Sequence, residues 1–96
     1  MLDAAMRPQL HPQVAARLLD GRAIVVLADA GEVLVLNPNG AWIWQQIDGR
    51  RTVGELAAGL AQACGVEEAR AEEDTSAFVA SLIAAGAVQA QVAFVT

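Results

Sequence analysis

Apolar residues alternate or run continuously over the first third of the chain, then recur at helical spacing. The stretch Gly31-Glu32-Val33-Leu34-Val35-Leu36-Asn37-Pro38 marks the change. Successive strand side chains point to opposite faces, so Val33 and Val35 share one face and Leu34 and Leu36 the other. Both faces are apolar, and both are therefore expected to be covered. Asn37 can cap a following helix with its side-chain oxygen. Pro38 suits the first helical position, where no N–H is needed.

Upstream of this stretch the pattern is that of strands. Val14 to Leu19 predicts a first strand, and Asp20-Gly21 a two-residue hairpin turn in which both positions take positive φ. Ala23 to Ala28, with the β-branched run around Ile24-Val25-Val26-Leu27, predicts a second strand. Asp29-Ala30-Gly31 turns the chain into the third strand, Glu32 to Leu36. Two short turns make an antiparallel meander with the second strand central and the first and third at the edges. Residues 1–13 carry Pro8 and Pro12 without a regular repeat and are expected to form a tail.

Downstream, three helices are expected. Ile43 and Ile47 share a face of the first, Pro38 to about Ile47, which Asp48-Gly49 ends. Thr52-Val53-Gly54-Glu55 is a capping box for the second, with Val53, Leu56, Ala57, Leu60 and Cys64 at helical spacing and Gly65 as its stop. The third lies within Glu67 to Ala85. Phe78, Leu82 and Ala85 form one apolar row on it, and Val79 and Ile83 an adjacent one. Beyond Gly86, Val88, Ala90, Val92 and Phe94 alternate with Gln89 and Gln91, which reads as an additional strand or an extended tail. The fold class expected is α+β, a three-stranded antiparallel meander followed by three helices.

Composition narrows the functional classes. Ninety-six residues make one domain, 55% hydrophobic, with only two Trp and two Phe as aromatics. The net charge is −5 and every basic residue is Arg, which argues against nucleic acid. A DNA-reading winged helix needs a basic recognition helix, and the third helix has only Arg70 among Glu67, Glu68, Glu72, Glu73 and Asp74. Those carboxylates suit the positive end of a helix dipole. The single Cys64 forms no internal disulfide and is expected as a buried, inert thiol. His11 is expected to be solvated. No spaced metal-ligand set, nucleophile–base pair or phosphate-binding loop is present, so neither catalysis nor a cofactor is expected. The uncharged stretch from Thr75 to Thr96 is broken by Gly86 and two Gln and makes a poor membrane span, which leaves a cytoplasmic protein without a signal peptide. Trp44 is expected in the core and Trp42 facing a partner. Arg50-Arg51 is a solvated turn or a contact for an acidic peptide or enzyme.

The ordered set Val33-Leu34-Val35-Leu36-Asn37-Pro38, Ile43-Trp44, Ile47-Asp48-Gly49, Thr52-Val53 with Glu55-Leu56, then Asp74, Phe78, Leu82 and Gly86 resembles the PqqD family, named for pyrroloquinoline quinone synthesis. The likeness spans residues 14–89, leaving 1–13 as tail and 90–96 as extension. Asn39-Gly40 departs from the family's Thr/Ser and small residue. The resemblance implies a winged-helix-like, non-catalytic element that recognises the leader of a ribosomally made precursor peptide. The leader adds as a strand beside the third strand, lies against the third helix, and is presented to a modifying enzyme such as a radical SAM enzyme. The residues this puts at the peptide are Val33, Leu34, Val35, Leu36, Asn37, Phe78, Val79, Leu82 and Ile83.

The residues themselves point the same way. The third strand is an edge with neither charge nor proline between Val33 and Leu36, and unprotected edges recruit other chains. Strand addition gives main-chain hydrogen bonds for affinity and pockets for specificity. The rival covers for this edge are the chain's own strand from Val88 to Val95 and a second copy in a homodimer. A different class of function is an adaptor that binds a folded kinase-like or transferase partner.

Overall fold

The computed structural model describes residues 2, 4–11, 14–19, 22–27 and 32–91. The strands are β1 (Arg7–Leu10), β2 (Val14–Leu19), β3 (Arg22–Leu27), β4 (Glu32–Leu36) and β5 (Val88–Gln91). The helices α1 (Pro38–Gln46), α2 (Val53–Cys64) and α3 (Glu68–Ala84) lie between β4 and β5. β2, β3 and β4 form the expected antiparallel meander, with β3 central. The turns expected at Asp20-Gly21 and Asp29-Ala30-Gly31 lie outside the described residues.

The register puts Val25 opposite both Ala16 and Leu34, and Leu36 two residues on from Leu34, on the face turned to the helices. Val25 is fully buried there and Leu36 nearly so. The other face carries Val26, Val33 and Val35, which are 37%, 58% and 60% exposed. The expectation that both faces of this strand are covered is thus corrected. Among the described residues, the helices roof only the Leu34–Leu36 face.

Local chemistry sets the helix boundaries. Asn37 Oδ1 accepts the Gly40 N–H at 2.7 Å, with Pro38 in the first turn. The chain leaves α1 through Ile47 and Gly49, whose φ is +78°. Thr52 and Glu55 form a reciprocal capping box at α2, and Gly65 at φ +67° ends it. α3 has no side-chain cap and ends before Gly86 at φ +81°. α1 contacts β3 and β4, and α2 and α3 pack on one another. The common core holds Val25, Leu36, Ile43, Trp44, Ile47, Leu56, Leu60, Val79 and Leu82.

Two expectations need correction. The N-terminal segment is not a tail. β1 pairs antiparallel with β5, Arg7 opposite Gln91 and Leu10 opposite Val88. Met6 and Pro8 are buried and Leu10 partly so, while Arg7 and Gln9 are exposed. This period-two pattern contains a proline, tolerated because β1 is an edge strand. The preceding residues brace the helices: the carbonyls of Met6 and Ala4 accept the Val53 and Gly54 N–H groups at 2.9 Å, and Leu2 N–H donates to Ser76 Oγ at 2.8 Å. His11 is half-buried beside this ribbon, its N–H donating to the Ala87 carbonyl. Cys64, expected inside, is exposed. It continues the apolar row of α2 by four residues beyond Leu60, but the buried stretch of the helix stops at Leu60.

Candidate peptide-binding edge and groove

β4 is hydrogen-bonded to β3 on one side, and among the described residues no strand pairs with its other side. The chain's own last described strand, a rival cover for this edge, pairs with β1 instead. Main-chain groups on the outer side of Val33–Leu36 therefore lack a strand partner within the described residues.

The edge leads into a cavity. Where β4 passes into α1, a recess of about 360 Å³ opens between the first turn of α1 and α3. Its walls include Asn37, Asn39 and Gly40 on one side and Arg70, Asp74 and Phe78 on the other; Ile43 and Leu60 lie beneath. Ile43 and Leu60 are buried, and Phe78 is half-exposed. Arg70 and Asp74, one turn apart on α3, form an exposed ion pair at 3.5 Å. Such a pair contributes little to stability but leaves both signs at the surface of the recess.

The nine residues expected at a peptide divide by location. Val33 and Val35 are open, Leu34 is half-buried and Leu36 is buried on the helix-facing side. Asn37 lines the recess, although its carboxamide oxygen is committed to the helix cap. Phe78 lines it too. Val79 and Leu82 are 0% and 1% exposed, so they hold α3 in the core and do not reach a surface ligand. Ile83 is half-buried but lies on a different flank. At about 100° per residue it falls roughly 140° around α3 from Phe78. It shares a face with Ser76, seven residues earlier, which receives the Leu2 N–H. Asn39, Gly40, Arg70 and Asp74 join the recess without having been expected as site residues. Their one legible signal was the position of Asn39-Gly40 directly after the capped strand.

The loop after α1 is built by charge. Asp48 Oδ1 accepts the Arg50 and Arg51 N–H groups, each at 2.9 Å. The Arg51 and then the Arg50 N–H bonds hold its carboxyl below the ordinary value. The Thr52 backbone N–H, then its side chain, does the same for Glu55. Arg7 Nε donates to the Arg50 carbonyl at 3.0 Å, and Arg51 Nη1 donates to Gln46 Oε1, so both guanidinium groups are held against the body. Among the described residues no group of three or more His, Cys, Asp or Glu is placed to hold a metal ion. No helix among them is long and apolar enough to cross a membrane.

A three-stranded meander whose β4 edge has no strand partner among the described residues, beside a recess at the third of three helices, makes an α+β, winged-helix-like domain. The chain belongs to the PqqD family: the model described as coenzyme PQQ synthesis protein D matches residues 14–88. No curated protein sequence matches it. Among solved structures it is similar to one described as "Lasso peptide synthetase B1 complexed with the leader peptide", at 26% identity and a TM-score of 0.76, covering 86% of this chain and 98% of that one. It shares its fold with TbiB1 in complex with the TbiA(beta) leader peptide, at 15% identity, a TM-score of 0.77 and coverage of 88% and 99%. It also shares it with the PqqD truncation of Methylobacterium extorquens PqqCD, described as a functional, stand-alone RiPP recognition element. There the identity is 23%, the TM-score 0.71 and the coverage 85% and 87%.

Proposed function

We propose that the chain binds the leader of a ribosomally synthesised precursor peptide as an added strand beside β4, presents it to a modifying enzyme, and performs no chemistry itself. The observation that carries this reading is the unpaired, charge-free edge Val33–Leu36 running into the Asn37–Phe78 recess. A strand laid on that edge gains main-chain hydrogen bonds whatever its sequence, and selectivity then comes from side chains that enter the recess. The 26% identical lasso peptide synthetase B1, solved with a leader peptide, supports the same assignment. Val33, Leu34, Val35 and Leu36 supply the ladder; Asn37 and Phe78 supply the pocket. Ribosomal precursors are met in the cytoplasm. A radical SAM enzyme is one candidate recipient, as the resemblance to the PqqD family implies.

Calorimetry against the leaders of precursor peptides encoded beside this gene tests the proposal. A dissociation constant below about 100 µM, roughly −5.5 kcal/mol, is expected for at least one leader. It should be lost in Val35→Pro, which removes a ladder donor. Binding by no leader, together with a concentration-dependent dimer in sedimentation that Val35→Pro dissolves, would assign the edge to a second copy of the chain instead.

A further inference from the structure

The outer face of the meander is open and, apart from Arg17, apolar at the residues the register places in its two central rows. The register sets Ala15, Val26 and Val33 in one row across the three strands, and Arg17, Ile24 and Val35 in the next. Directly opposed residues share a face, so these rows form one surface. From β3 to β4 the exposure rises: Ile24 is half-buried, Val26 is 37% exposed, and Val33 and Val35 reach 58% and 60%. On the β3 side each of the two β4 valines has a cross-strand neighbour. On the other side neither has one among the described residues. Exposed β-branched residues on an unprotected edge are the arrangement that soluble proteins ordinarily suppress with charge or proline.

A strand added beside β4 has two sets of side chains, because successive residues alternate faces. One set faces the helices and the recess by Phe78. The other set lands on the outer face, next to Val33 and Val35, as the missing cross-strand partners. Only an occupant of the edge itself becomes the direct neighbour of both valines, and the open valine column is continuous with that edge. A second copy stacked on this face would bring another charge of −5 against it.

We infer that the bound peptide is read on both of its faces, and that Val33 and Val35 select apolar, β-branched or aromatic side chains at two alternate outward positions. This deepens the proposed function and rests on it. The peptide class is accordingly an extended segment with two interleaved apolar sets rather than an amphipathic strand with one polar face. Cross-strand apolar pairs of this kind, two together, correspond to a change of about threefold to tenfold in affinity.

A display library of short random peptides, selected on the protein and in parallel on the Val33→Thr/Val35→Thr double variant, tests this. Thr keeps the β-branched shape and strand preference at exposed positions, so the variant should melt with the parent. Selection on the parent should enrich apolar residues at both alternating sets, and selection on the variant should retain one set only. A peptide carrying both sets should bind the variant about threefold to tenfold more weakly. If peptides are selected but only one alternating set is ever apolar, or the variant selects the same peptides as the parent, the two-faced reading is overturned and strand addition stands. Failure to select any peptide overturns both. Loss of self-association in the variant, with peptide selection unchanged, makes the valine face a contact between copies and overturns the inference.

Discussion

A methyl group on Gly40 would stand 3.1 Å from Cε1 of Phe78 and equally close to Oδ1 of Asn37. Gly40 thus gives the ring room against the first turn of α1, at the mouth of the recess. Gly40→Ala gains about 1 kcal/mol of helix propensity, but the ring must yield by a few tenths of an ångström. Since Phe78 is half-exposed, the expected response is that it swings toward the recess. Thermal melting should therefore stay close to the parent, while affinity for a bound leader falls. A rise of about 4–8 °C, the full propensity gain for a domain of this size, with unchanged binding would show that the ring does not rest there.

Of the two tryptophans, Trp44 lies in the core as expected and Trp42 departs from expectation. Trp44 is 6% exposed in the core, and Trp44→Ala should cost about 3–5 kcal/mol, measured by urea unfolding. Trp42, expected to face a partner, lies over α2: a methyl on Gly59 would be 2.6 Å from its Cη2. Gly59→Ala should therefore lower the melting temperature, although alanine is the better helix former by about 1 kcal/mol. A stabilised Gly59→Ala protein would place the Trp42 ring away from the helix.

The meander, the three helices and their caps were legible because each rests on local rules. Asn37-Pro38 and Thr52 with Glu55 announce helix starts through hydrogen bonds made within a few residues. β1 was not legible because its strand character depends on a partner some eighty residues away, and Pro8 masks the alternation of Met6, Pro8 and Leu10. Within the site, the open β4 edge could be read from its lack of charge and proline. The rotation of α3 could not. Phe78, Val79, Leu82 and Ile83 are all apolar, and only packing against α2 and the N-terminal segment decides which one meets the recess. Cys64 shows the same limit: its spacing continues a buried row, but the buried part of α2 ends first.

Acid should loosen the loop between α1 and α2 before it touches the core. Asp48 and Glu55 each titrate below their ordinary values, held there chiefly by the Arg51 and Thr52 backbone N–H groups respectively. A carboxylate with a depressed folded-state pKa contributes stability that is fully present above its unfolded value and is lost as the pH falls through its folded one. The contribution is therefore intact above the ordinary range of about 3.9–4.3 and declines below it. Asp48→Asn/Glu55→Gln should flatten the melting temperature against pH in that acid window, leaving its neutral-pH slope unchanged. An acid limb identical to the parent's would assign the acid sensitivity to other carboxylates.

The N-terminal residues brace the domain from the flank of α3 away from the recess, and this separates stability from binding. The Met6 and Ala4 carbonyls take the Val53 and Gly54 N–H groups, Thr52 Oγ1 takes that of Glu55, and Glu55 Oε1 takes that of Thr52. The four N–H groups that α2 cannot satisfy internally are all accounted for. Met6 and Pro8 are buried against the body, as are Val88 at the start of β5 and Ala87 just before it, at 2% and 0% exposure. Deleting residues 1–10 opens two helix donors to water, unpairs β5 and uncovers this apolar strip. Met6→Ala alone should cost about 2–5 kcal/mol, and the deletion at least as much. The β4 edge belongs to the other sheet, and the family match begins at residue 14, after this segment. Where the truncated protein remains folded, by circular dichroism at low temperature, leader affinity should stay within about threefold, ~0.7 kcal/mol, of the parent. A truncated protein that keeps its melting temperature but loses the leader would make the N-terminal segment part of the binding site and remove the β4 edge as its sole platform.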